Sequence, residues 1–236
     1  MRARIHFLMA ALLLVCSLKA QTVAEVFKLV NSKYAQTENV SMDIKYELFA
    51  NYSAALPYES SSGSYVKQGS NFCSSLLGIT TMQNKKYAVS VSETDKMIVV
   101  SNPDKSEKAP SIIEIDSLLK RCTSTEMRKT NDGITVCVLH FENAPFCEFD
   151  RIEIEVGTNS FVTSITLFYR EAVNLNETDP QLKKEKPKLV ITYSNINTNP
   201  VIKADQFSEK TYIIDNGEKI TGAPAYSTYR ILNHKK

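Results

Sequence analysis

Two periodicities divide the chain. Between Thr22 and Tyr34, the residues Val23, Val26, Phe27, Val30 and Tyr34 recur at three- and four-residue steps, which puts them on one face of a helix. Thr22 and Glu25 have the spacing of a capping box at its start. From Val40 the period becomes two. Val40, Met42, Ile44, Tyr46 and Leu48 alternate with Ser41, Asp43, Lys45 and Glu47, the mark of a strand with one apolar and one wet side. Ser60-Ser61-Ser62-Gly63 predicts a turn, with a strand resuming over Ser64–Lys67. Further strands are predicted over Lys86–Ser92, Met97–Ser101, Ile134–Phe141, Arg151–Gly157, Phe161–Tyr169 and Lys188–Ile196. Turns at Glu93-Thr94-Asp95, Asn131-Asp132-Gly133 and Gly157-Thr158-Asn159 punctuate them. Asp132-Gly133 and Asn216-Gly217 carry hairpin chemistry. Connections this short join antiparallel neighbours, so the sheet is expected to be antiparallel. A second helix is expected over Ile112–Arg121, opened by Ala109-Pro110-Ser111, with Ile112, Ile115, Leu118 and Leu119 on one face. The charged stretch Glu171–Pro187 predicts an exposed connection.

The first twenty residues stand apart from this pattern. Arg2 and Arg4 precede an apolar run from Ile5 to Val15, and a polar stretch ends in Leu18-Lys19-Ala20-Gln21. That three-part order reads as a secretory signal peptide, too short to span a bilayer of about 30 Å. Cys16 raises lipid modification as an alternative, but Leu14 and Val15 stand where that chemistry wants small residues. Cleavage after Ala20 is therefore expected, leaving residues 21–236 as one domain without a dividing linker. Processing removes Arg2, Arg4 and Lys19 and no acid, which turns 28 basic against 26 acidic residues into a net charge of −1. A near-neutral chain without a basic patch argues against nucleic acid as a partner, and weakens an anionic membrane surface as the main target.

Candidate chemistry is sparse. Cys73, Cys122, Cys137 and Cys147 remain after processing. Export permits two disulfides in any of three pairings, and four buried thiols are the alternative. Their spacings match no zinc or thiol-redox motif. Only His140 and His234 survive, and no Gly-rich phosphate loop, paired-histidine metal motif or G-x-S-x-G elbow occurs. Cys137 and His140 are three apart, which places them on opposite faces of a strand. Glu114-Ile115-Asp116 and Glu153-Ile154-Glu155 read as solvent-facing charges. No enzyme and no cofactor is expected. The remaining possibility is a container: a sheet with one apolar face, covered by a few helices.

Three stretches, in order, resemble the outer-membrane lipoprotein carrier family (LolA-like). Gly63 to Phe72 is similar to its early hairpin, Lys96 to Pro103 to the following strands, and Ile191 to Pro200 with Phe207 to its last long strand and turn. The resemblance implies a curved antiparallel sheet forming an incomplete β-barrel under a helical lid. It implies a periplasmic monomer that binds lipid or lipoprotein acyl chains and exchanges them with membrane-bound donor and acceptor proteins. Phe27, Met42, Ile44, Tyr46, Ile165, Leu167, Tyr169, Ile191 and Tyr193 are then the expected cavity lining. Gln68 stands where the family carries the arginine that holds the lid, and Gly69 where it carries a proline; an extension from Thr211 to Lys236, with Tyr226, Tyr229 and Ile231, is a further departure. A non-catalytic interaction or scaffold module on the same fold is the main alternative. A secreted eukaryotic protein, suggested by acceptor triplets at Asn39, Asn51 and Asn176, and a cysteine-dependent enzyme are the others.

Overall fold

The computed structural model describes residues 21–103, 115–142, 144, 147–175 and 183–235. The expected signal peptide and residues 112–114 of the second helix lie outside them, as does Asn176. Helix α1 (Val23–Gln36) begins at Thr22, whose hydroxyl accepts from the Glu25 amide while the Glu25 carboxylate accepts from the Thr22 amide. The capping box is thus formed in full. Strands β1 (Asn39–Phe49), β2 (Glu59–Gln68), β3 (Asn71–Leu76), β4 (Ile79–Gln83), β5 (Ala88–Ser92) and β6 (Met97–Ser101) follow as a meander. After α2 (Ile115–Arg121), strands β7 (Ser124–Lys129), β8 (Thr135–His140), β9 (Phe149–Val156), β10 (Val162–Tyr169) and β11 (Lys188–Asn197) form a second meander. β11 pairs antiparallel with β1 and joins the two halves. The hairpin of β12 (Ile213–Asp215) and β13 (Ile220–Gly222) and the edge strand β14 (Arg230–Asn233) complete the chain.

All but the β12–β13 hairpin lie in one twelve-stranded sheet, in the order β14-β6-β5-β4-β3-β2-β1-β11-β10-β9-β8-β7. The sheet is curved and does not close into a barrel. Every pairing is antiparallel except that of β14 with β6, which is parallel. One edge is therefore a four-residue strand, and the other, β7, carries Glu126, Arg128 and Lys129. Short or charged edges of this kind resist pairing with a second chain.

The pairing registers divide the interior in two. Met42 faces Tyr65, Tyr65 faces Ser74 and Ser74 faces Thr81. Cross-strand partners share a face, so Val40, Met42 and Ile44 lie on the side of Phe72, Leu76 and Ile79. Cys73, Met82, Val89 and Val100 are paired in turn on the opposite side. The first core gathers α1 and the apolar faces of β1, β2 and β8–β11. The second gathers Met82, Tyr87, Val89, Val91, Ile98 and Val100 beneath Ile213, with Tyr212, Ile220, Tyr226, Tyr229 and Ile231 packed against them. The C-terminal extension is thus the roof of a second core on the other face of the sheet. Asn84 fastens it. Its amide donates to Phe207 O (3.0 Å) and Glu209 Oε2 (2.8 Å), while the Tyr87 hydroxyl bonds the Asp215 carboxylate.

Three strands were not legible as such. β3 and β4 are rich in Ser and Thr, and β7 is polar along its exposed edge, so none shows clear alternation. The expected turn at Ser60–Gly63 is instead the first half of β2, paired with Ile44–Glu47 of β1. Gly63 marks a close backbone approach rather than a turn, because a Cβ there would sit 2.1 Å from Ser75 O and 2.9 Å from Leu76 Cδ1. At Gly69 no atom lies within 4 Å of such a Cβ, and only the φ of +57° opposes a side chain. Gly63→Ala is accordingly expected to cost about 3 kcal/mol in urea denaturation, as overpacking against backbone does. Gly69→Ala is expected to cost about 1 kcal/mol, the penalty of a left-handed alanine. Equal losses in the two variants would show that β3 can move away from β2.

Candidate functional site

The first core is built of rows that run across the strands. Tyr46, Ile191, Ile165, Ile154, Cys137 and Met127 pair successively from β1 to β7. Leu48, Leu189, Leu167, Ile152 and Leu139 form the next row towards the sheet end at which β1 terminates. The alternate positions, among them Asp43, Lys45, Glu47, Arg151, Glu153 and Glu155, fall on the other face. There Arg151 and Arg128 pair with Glu153, and Arg151 also stacks on the ring of Phe168.

Helix α1 lies on the apolar rows through Val23, Val26, Phe27 and Val30. Its C-terminal end is fixed at three points. Tyr34 meets Phe161 edge to face at 5.0 Å, and the Lys33 ammonium lies over the same ring. Lys67, 8% exposed, donates from Nζ to Tyr34 O (3.3 Å) and Thr37 O (3.1 Å). A cation at this position also meets the negative end of the helix dipole. Burial pushes the Lys67 ammonium below its ordinary pKa.

Burial falls off along the rows. Val40, Met42 and Ile44 on β1, Tyr193 and Ile191 on β11, and Ile165 on β10 are buried. Tyr46, Leu48, Leu189, Leu167, Tyr169 and Phe149 are half-buried at the outer end. On β4–β6 the same face carries Ile79, Thr81, Ser90, Ser92, Met97 and Val99, which are half-buried except for the exposed Ile79. On β1 and β9–β11 an apolar face thus runs from a packed inner zone under α1 to a partly uncovered outer zone, and hydroxyl-bearing residues interrupt it on β4 and β5.

Four phenols stand in or against the first core. Burial pushes Tyr34 up to about 12, the Val162 backbone working against it, and raises Tyr46, Tyr65 and Tyr193. Burial likewise raises Cys73 and Cys122 and pushes the Cys137 thiol up to about 11. All four cysteines are free thiols. The register separates one of the three pairings: Cys73 packs against the second core and Cys137 within the first, on opposite faces. Cys137 and His140 are also on opposite faces, His140 being 3.2 Å from Glu126 and Cys137 enclosed. Among the described residues there is no cluster of three or more potential metal ligands, and no helix long and apolar enough to cross a membrane.

The structure brings most of the expected lining residues together. Phe27, Met42, Ile44, Ile165, Ile191 and Tyr193 belong to one buried cluster, with Tyr46 and Leu167 packed against it. Tyr169 lies on the same face at its outer end, its ring 5.1 Å from that of Phe149. Gln68 does not touch the helix. It is exposed and lines a separate shallow cleft of about 330 Å³ with Asn71, Ile202, Lys203, Ala204, Phe207 and Ser208. The preceding residue, Lys67, makes the helix contact instead, because the one-residue step in β2 exchanges the faces. Leu189 and Phe149, which the sequence reading did not single out, also pack against this cluster, and Leu189, two positions from Ile191, shares its face.

No protein-family model and no curated sequence matches the chain. Solved structures do. An uncharacterized conserved protein from Thermus thermophilus is 9% identical over 91% of this chain and 100% of that one, with a TM-score of 0.48. A LolA superfamily protein from Nitrosomonas europaea is 10% identical over 80% and 98% of the two chains, with a TM-score of 0.31. Lipoprotein LppX of Mycobacterium tuberculosis is 9% identical over 75% and 95% of the chains, with a TM-score of 0.39. At such identities and scores no residue role of these three proteins transfers to this chain.

Two outcomes follow for the helix and the phenols. Lys67→Met is expected to destabilise the fold by about 2 kcal/mol, the cost of leaving two helix carbonyls unpaired. Amide exchange should accelerate first at the C-terminal turn of α1, and uniform acceleration would refute that tie. Tyr34 and Tyr52 are held at about 12, and Tyr65, Tyr193 and Tyr212 higher still, in each case chiefly by burial. Above the ordinary tyrosine pKa of about 10, the native state holds more protons than the unfolded one. The stability present below that pH is therefore lost as pH rises through the folded values. Tyrosinate absorbance at 295 nm should appear together with loss of the far-ultraviolet signal. Separate transitions would show that these rings ionise in the folded protein.

Proposed function

We propose that the chain is an exported carrier whose helix-covered sheet face binds acyl chains of lipids or lipoproteins. One observation supports this above all: an apolar face across β1 and β9–β11 whose inner positions are covered by α1 and whose outer row, Leu48, Leu189 and Leu167, is half uncovered. Each methylene buried on such a surface is worth about 0.8 kcal/mol, so a chain is held without covalent chemistry. In this reading α1 is the lid, and Lys67 is the latch at its C-terminal end. Residues 1–20 direct export to a periplasm, where donor and acceptor proteins at the two membranes load and unload the cargo. The nine residues expected from the sequence line the site, joined by Leu48, Leu189 and Phe149.

A second reading has its own support. Phe27, Met42 and Ile165 are no more than 2% exposed, the burial of a finished core, which suits an interaction module that carries nothing. Native mass spectrometry of residues 21–236, purified from a periplasm without harsh detergent, separates the two. The carrier should retain mass that extracts as lipid, or take up a fluorescent acyl probe. Leu167→Glu places a charge in the outer row without entering the packed zone. It is expected to weaken probe uptake about tenfold or more while leaving a cooperative melt, since a carboxylate against an apolar chain is poorly solvated. A clean apoprotein that ignores the probe leaves the interaction module.

A further inference from the structure

The first core contains a polar group that its own packing does not explain. Tyr193 on β11 faces Ile44 in the middle of the apolar rows and is 3% exposed. Its hydroxyl is enclosed and has no hydrogen-bond partner among the described residues. A phenylalanine would fill the same space without burying an unpaired hydroxyl. Other phenols lie around it. Tyr46 is two positions beyond Ile44 on the neighbouring strand, Tyr65 faces Met42 on the next strand, and Tyr34 enters from α1. Tyr46 and Tyr34 are close enough to act on the ionisation of Tyr193, and Tyr34 on that of Tyr65.

We propose that the Tyr193 hydroxyl, with Tyr46 and Tyr34 beside it, is a hydrogen-bond site for the carbonyl of a neutral acyl ester or amide. The proposal rests on the acyl-carrier reading and specifies the head of the cargo. The ring places one unused donor on an otherwise apolar wall, which is how apolar sites fix the orientation of a ligand. At neutral pH these phenols are protonated, and the unpaired Tyr193 and Tyr34 hydroxyls each offer a donor. The acceptor is uncharged because the surroundings are. Among the described residues no ionised side chain acts on Tyr34, Tyr46, Tyr65 or Tyr193. The nearest candidate cation along β2, Lys67, is engaged with Tyr34 O and Thr37 O at the helix end. A fatty-acid carboxylate or a phosphate would therefore be buried without a counter-charge, at a heavy cost. An ester or amide carbonyl accepts the same hydrogen bond without it.

The test compares methyl palmitate, palmitate and hexadecane as competitors of a bound fluorescent acyl probe, on residues 21–236 and on Tyr193→Phe. Methyl palmitate is expected to bind about tenfold more tightly than hexadecane, the worth of one buried hydrogen bond, and more tightly than palmitate. Tyr193→Phe is expected to erase that margin while still binding hexadecane, and its empty form should melt higher than the parent. Tyr46→Phe supplies a second variant with a smaller expected loss. A lower melting temperature in Tyr193→Phe with an unchanged ester-to-alkane ratio overturns the proposal, because the hydroxyl then holds an internal water. Tighter binding of palmitate than of its ester overturns the neutral-head assignment. Should hexadecane bind and the ester bind no better, this inference falls while the carrier reading stands. If none of the three displaces the probe, or the probe itself does not bind, both fall.

Discussion

The fold depends on the rule that residues paired across an antiparallel ladder share a face. An alternating strand can commit only one side to a core. From β1 to β3 the committed side is that of Met42 and Phe72, and from β4 to β6 it is that of Met82 and Val89. The sheet is continuous through this change, so each half needs a cover on a different side. Helix α1 supplies one and the C-terminal segment the other. Between them, Phe72 and Cys73 on β3 point to opposite cores, and the Ser and Thr residues of β3 and β4 tolerate either environment. Gly63 lets β2 and β3 approach where a side chain would strike backbone.

The polar contacts that matter join covers to sheet. Lys67 ties α1, Asn84 and Tyr87 tie the C-terminal segment, and Asp150 gathers Lys186, Arg170 and Tyr52 at the outer end. Partial burial works against the ionised Asp150 carboxyl, but those three partners hold it below its ordinary range. The exposed pairs on the far side of β9, such as Arg128 with Glu153, contribute little, since surface ion pairs are worth about 0–1 kcal/mol. Lys67 and Asn84 differ because their side chains donate to backbone carbonyls, those of Tyr34, Thr37 and Phe207.

Much of the wall was legible because period-two alternation is read directly from strands with one dry side. β1, β6 and β9–β11 were found within one or two residues, and with them eight of the nine expected lining positions fall in or against one cluster. Strands whose dry side changes, or whose partners are hydroxyl-bearing, give no such signal, and β3 and β4 were lost for that reason. Gln68 and Lys67 differ by a single step of register: chain position identified the hairpin, but only pairing with Val40 shows that Lys67 faces the helix. The C-terminal segment looked like an appendage because its apolar residues are scattered among turns. Its role emerges only when the uncovered faces of β5 and β6 are seen beneath it.

A carrier on this fold must use the same rows as core when empty and as wall when loaded. The sizes of the two interactions allow that exchange. Val23, Val26, Phe27 and Val30 are the buried side chains of α1. Four such side chains contribute about 6–12 kcal/mol through burial. An acyl chain of about fifteen methylenes brings about 12 kcal/mol to the same surface. Neither occupant overwhelms the other, so small differences decide between helix and chain. On the proposed reading the Lys67 bonds favour the helix, and a hydrogen bond from Tyr193 would favour the cargo. A carrier that must both accept and release its load needs that near balance, whereas a module with a permanent core gains nothing from an unpaired hydroxyl at its centre.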